Sequence, residues 1–235
     1  MMKKLLLLFC AMLTGFALQA SAHAETVATV ARVGGMLSVI KADGTSRILG
    51  QQSPVEAGDV LTTENDSFAM LKFTDGGLVT LRPNTRLKVD EYTFTQDKPE
   101  SDSFVFSLVK GGLRTITGLV GHRGNRNAYR LNTATATIGI RGTNYEAHFC
   151  QGDCGAKLQD GLYLYVHQGA INAANDGGSV DYGAGVSGFV KDFDSLPTVL
   201  PQRPVLPTVL PPDSSSSGGG QNKGISETGE VSNCS

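Results

Sequence analysis

Tryptophan is absent from this chain, histidine occurs four times, and charged residues make up 18% of the sequence. So little histidine leaves few candidates for acid–base catalysis, and a net charge of −2 offers no general attraction for nucleic acid. No Gly-x-Ser-x-Gly elbow is present; Gly185-Val186-Ser187-Gly188 is one residue short of it. Phosphate loops and dinucleotide fingerprints are missing, along with the strand–helix–strand context they require. No segment holds a helical period, and past the leader no stretch reaches about 18 apolar residues without charge. Carboxylate pairs for glycoside hydrolysis are not excluded, but none is singled out. The composition calls for no cofactor, and the chain reads as a non-enzyme.

What is there begins with a leader. Lys3 and Lys4 precede the apolar run from Leu5 to Leu13, and Ala22-His23-Ala24 places small residues where a signal peptidase reads them. That pattern predicts a signal peptide over 1–24, a mature chain from Glu25, and a periplasmic or extracellular location. The run is too short to span about 30 Å of hydrocarbon, so no integral membrane segment is expected after cleavage. Cys10 lies inside the apolar run, without the small residues before it that lipidation needs.

Glycine is plentiful at 29 residues, which suits short strands and tight turns. Period-two alternation dominates. Ala69, Leu71 and Phe73 alternate with Met70 and Lys72; Val79 and Leu81 with Thr80 and Arg82; Leu87 and Val89 with Lys88 and Asp90. Asp75-Gly76-Gly77 and Pro83-Asn84 separate these runs, which describe a meander or the rungs of a solenoid. The pattern recurs at 27–33, 36–40, 46–49, 104–109, 112–116, 129–132, 137–140, 143–149, 162–168 and 180–182. The fold class is all-β: a single domain of many short strands over 25–192.

Beyond it, Leu196-Pro197-Thr198-Val199-Leu200-Pro201 recurs as Leu206-Pro207-Thr208-Val209-Leu210-Pro211. Proline fixes φ and removes donors, so 193–213 reads as an extended proline-rich linker, and 214–235 as a disordered Ser/Gly-rich tail. A plain spacer and a recognition peptide are both open readings.

Cys150 and Cys154 bracket Gln-Gly-Asp, residues suited to a tight turn, and in an oxidising compartment they are expected to pair. Closing so small a loop stabilises by about 2 kcal/mol. Zinc is the competing reading, because His148, Cys150, Cys154 and His167 are all ligand types, but their spacing fits no established pattern. Cys234 is left over.

One charge feature stands out. No acidic residue occurs from Ser103 to Tyr145, whereas Lys110, Arg114, Arg123, Arg126, Arg130 and Arg141 fall there. Arg123, Arg126, Arg130 and Arg141 are candidate contacts for an anionic envelope polymer or an acidic envelope protein. The alternative is a solvated face neutralised by carboxylates of neighbouring strands.

Four stretches taken in order resemble the FecR domain family: Ala31-Arg32-Val33-Gly34-Gly35; Val55 to Thr63 with its Gly58-Asp59 turn, continuing through Ser67 to Asp75-Gly76; Ser107 to Arg114; and Thr133 to Thr143, ending Ile140-Arg141-Gly142-Thr143. The resemblance implies an all-β extracytoplasmic domain built as a two-layered β-solenoid or β-roll, and in members of that family a part in cell-surface signalling to a sigma-factor system. This chain is expected to be a stand-alone exported member, without the anti-sigma domain or membrane helix. Read physically, Gly58, Asp59, Asp75, Gly76, Arg141, Gly142 and Thr143 are mostly turn and corner residues. Arg141 either pairs with a buried carboxylate or sits in a binding surface. The function this supports is a binding or signalling-type module; the alternative is an enzyme or enzyme subunit acting on envelope glycans.

Overall fold

The computed structural model describes residues 25–206 except 124, 126 and 157. The leader and the tail beyond Leu206 therefore lie outside the described residues. Fifteen strands form one continuous hydrogen-bonded sheet, with two short 3₁₀ turns and, among the described residues, no α-helix.

Three long strands organise it: β9 (Ser103–Ile116), β11 (Thr137–Cys150) and β12 (Gly161–Asn175). Each changes partners halfway, at Gly111, Gly142 and Gly169, all with positive φ. The first half of β9, the first half of β11 and the second half of β12 belong to layer one. That layer also holds β2 (Leu37–Ile40), β3 (Ser46–Leu49), β5 (Val60–Thr63), β8 (Arg86–Thr93), β10 (Tyr129–Asn132) and β13 (Gly178–Gly183). The other halves join β1 (Thr26–Gly34), β4 (Pro54–Glu56), β6 (Phe68–Phe73), β7 (Leu78–Leu81), β14 (Ser187–Val190) and β15 (Thr198–Leu200) in layer two. The sheet thus folds over on itself. Glycine is required at the corner because a methyl on Gly169 would strike the carbonyl of Gly142.

The layers meet through alternating apolar side chains. Ala69, Leu71, Phe73, Val79, Leu81, Leu87 and Val89 are buried, while Lys72, Arg86 and Lys88 between them are exposed. Phe73 of layer two lies 4.4 Å from Phe104 of layer one, and Phe104 and Phe106 each lie 5.2 Å from Tyr129 (ring centroids).

Three expectations change. Pro83-Asn84 does not turn a meander: β7 and β8 do not pair, and the chain crosses there from layer two to layer one. The separate strands expected at 104–109 and 112–116, and at 137–140 and 143–149, are single strands bent at glycine. The proline-rich stretch is not simply extended chain, because Thr198–Leu200 pairs with β14. Pro197 and Pro201 bracket three residues whose N–H groups remain available, and proline is tolerated beside an edge strand.

Candidate functional site: an outward basic face on layer one

The basic stretch does not form one surface. Arg123 is committed to the fold: its Nε donates to the Asp102 carboxylate at 3.0 Å and its other nitrogens to the carbonyls of Gln96 and Thr95. Its guanidinium lies 4.8 Å over the ring of Phe94. The Asp102 side chain is fully buried, so this arginine neutralises a buried carboxylate. Arg114 sits on layer two, bonded to Asn144. Arg126 lies outside the described residues.

Arg130 and Arg141 do come together. On β10, Tyr129 and Leu131 face the core, which turns Arg130 outward; on β11, Ile138 and Ile140 face the core, which turns Gly139 and Arg141 outward. Arg130 stands opposite Gly139, so Arg141 is its diagonal neighbour on the same face. Both are exposed, and among the described residues neither makes an ion pair. The carboxylate-pinned corner considered for Arg141 is therefore not formed.

Gly139 shapes this face. A side chain there would meet nothing within 4 Å, so its lack of one leaves a recess. A cleft of ≈ 550 Å³ runs from it across β12 and β13, past Asn172 and Asp181, whose side chains bond at 2.7 Å. A second cleft of ≈ 490 Å³ continues on the other side of Ile140 and Arg141, against His122 and Asn125. Arg141 thus stands between two adjoining recesses. Behind them, the hydroxyls of Tyr129 and Tyr145 bond at 3.2 Å, and burial pushes both far above the usual phenol range. They serve as neutral hydrogen-bonding groups of the core.

The other motif residues hold corners. Gly58 has φ 89°, and the buried Asp59 carboxylate accepts from the Glu56 N–H at 2.8 Å and from Lys41. Asp75 accepts from Gly77 N–H at 3.0 Å and Val120 N–H at 3.2 Å, tying the Asp75-Gly76 hairpin to the 3₁₀ turn Leu119–Gly121. A methyl on Gly142 would reach within 2.8 Å of His122, and Thr143 exchanges backbone and hydroxyl bonds with Thr117.

The sequence reading missed a buried ionic cluster on the outer face of layer two. Glu146 accepts from Arg82 at 2.6 Å, His167 at 2.7 Å and Arg203 at 2.8 Å. Burial alone would raise its carboxyl, but Arg82, His167 and Arg203 outweigh that and hold it below the ordinary range. Beside it, burial and then Arg82 push the His148 imidazole down to about 4. Of the four residues in the zinc reading, His148, Cys150 and Cys154 bring their ligand atoms within 4.8 Å of one another, with Cys150 and Cys154 joined in a disulfide whose Cα atoms are 5.5 Å apart, while His167 bonds to Glu146. The sequence hints were Arg82, at a position that alternation assigns to solvent, and His148 and His167, which entered the zinc reading rather than an ionic cluster.

The model of the family described as FecR protein matches residues 59–172, a span that contains all of β9, β10 and β11 and most of β12. The matched span, a little under half of the chain, is similar to a FecR domain. No curated protein matches it. Two crystal structures of a candidate anti-sigma factor from Parabacteroides distasonis ATCC 8503 are similar at 13% identity and a TM-score of 0.46, over 60% of this chain. The chain covers 58% of that protein, less than two thirds of its length.

Proposed function

We propose that this chain is an exported FecR-domain module that binds an acidic envelope protein through the outward face around Gly139. The observation that carries the reading is the pair Arg130 and Arg141, exposed on one face beside a recess and without ion-pair partners among the described residues. Two guanidiniums on one face, with Arg141 lining the recess and Arg130 its diagonal neighbour, suit carboxylates presented on a partner surface. The match to the FecR family model over residues 59–172 supports a signalling-type role with a protein partner. The leader pattern and the Cys150–Cys154 disulfide support an extracytoplasmic compartment. Among the described residues no helix is long and apolar enough to cross a membrane.

The test is capture of the tagged mature protein on its own envelope fraction, with and without Arg130→Ser and Arg141→Ser together. Wild-type capture should weaken steeply with salt, and the double variant should lose it at least tenfold with an unchanged melting temperature. Capture that survives protease treatment of the fraction would assign the face to an anionic polymer instead. Capture unaffected by the double change would remove this face from the function.

A further inference from the structure

The outer face of layer two is covered by the chain's own proline-rich segment. Thr198–Leu200 adds a strand to the edge of β14, with Thr198 and Val199 exposed. Leu200 and Leu206 pack against the cluster of Cys150, Cys154 and Tyr163, where Tyr163 and Phe189 stack at 4.7 Å. Between them Arg203 lies 4.0 Å over the ring of Tyr165 and reaches the buried Glu146 carboxylate. Strand addition at an edge, apolar side chains in shallow sites and one arginine on an aromatic face and a carboxylate are the elements of peptide recognition.

We propose that the β14 edge, the Tyr163–Phe189 pair and the Tyr165–Glu146 anchor form a peptide-docking track, filled here by residues 198–206. Its partner in trans is an extended, proline-flanked peptide with an arginine three residues after the paired segment. Three features favour a displaceable occupant over a fixed strand. The ladder is only three residues long. Glu146 keeps Arg82 and His167 when Arg203 leaves, so release does not strand a bare buried carboxylate. Pro197, Pro201 and Pro204 keep the segment extended when it is free, which lowers the ordering cost of docking.

The repeat supplies an internal control. Leu206 to Pro211 restates the six residues of 196–201, but ten residues after Arg203 the chain has Asp213. A second copy laid in the same register would bring a carboxylate towards Glu146. The strand unit is therefore shared by both copies, and what selects between them is Arg203 together with the Leu206 anchor, which the second copy replaces with Asp213 and Ser216.

The experiment uses the mature chain carrying Val199→Pro and Arg203→Ser, which unseats the resident segment, and fluorescent peptides matching residues 196–206 and 206–216. The first peptide should bind the unseated chain at least tenfold more tightly than it binds the unaltered chain, and at least tenfold more tightly than the second peptide binds. Equal binding of the two peptides, or no binding by a variant that still unfolds cooperatively, overturns the proposal. Should the variant lose its fold, hydrogen exchange on the unaltered chain decides. Residues 198–206 should exchange by local opening well before the β12–β14 ladder, and exchange of the two together would show a fixed strand and overturn the track.

Discussion

His148 shows how a polar residue on an outer sheet face comes to govern stability. Arg82 and Glu146 flank it, Asp153 stands nearby, and the β9 backbone at Gly112 covers its ring. Its folded pKa of about 4 lies below the 6.5 of a free imidazole, so between these values the unfolded chain takes up the proton and the folded chain resists it. Stability should hold above pH 6.5 and fall by about 3 kcal/mol as the pH drops towards 4, a slope that chemical denaturation across that range would measure. His148→Gln should flatten the slope. Glu146 acts in a lower window, because its depressed carboxyl gives stability that is lost only on acidification through its folded pKa. At the same scale Arg123→Ser should destabilise by about 2–3 kcal/mol by leaving Asp102 buried without its cation, whereas Arg141→Ser should leave the melting temperature unchanged. None of this pairing was legible in the sequence. Arg82 and Glu146 are 64 positions apart, and on their own strands each occupies a place that alternation assigns to solvent. The covering segment, through Arg203, and His167 close over them.

Elements were easier to read than their connections. The alternation in β6, β7 and β8 marked core and solvent faces directly, and Asp75-Gly76 marked a hairpin that forms. Gly142 read as a corner, and it is one, but the runs on either side of it and of Gly111-Gly112 read as separate strands because glycine punctuates both turns and bends. In a sheet that folds over on itself the ladder continues through the corner, and a single chain cannot tell the two cases apart. β15 was hidden by its prolines. A chain ending at Ser195 loses β15 and Arg203 and should melt about 3–6 °C lower, on a loss of about 1–2 kcal/mol, while a chain ending at Leu206 keeps both. The disulfide was legible from spacing and compartment. Replacing Cys150 and Cys154 with serine should cost about 2 kcal/mol, read as a shifted denaturation midpoint with unchanged slope.

At the scale of the molecule, the all-β class was readable from strand rhythm and the FecR resemblance from motif order, because both are written in local sequence, whereas the two layers followed only from what the resemblance implies. The binding face was half readable. Arg130 and Arg141 were among the candidates, but Arg123 beside them belongs to Asp102, and nothing in the sequence separates a free arginine from a spent one. The recess at Gly139 was not legible at all, since its openness depends on which strands flank it. That recess offers the most direct test of the proposed function. Gly139 is a strand residue without positive φ and with empty space where a side chain would go, so Gly139→Leu should fold normally while filling the recess beside Arg141. Quantitative capture of the mature protein on its own envelope fraction, compared between wild type and Gly139→Leu at matched melting temperature, is the measurement. The account predicts at least a tenfold loss of binding; undiminished binding by a fully folded Gly139→Leu protein would contradict it.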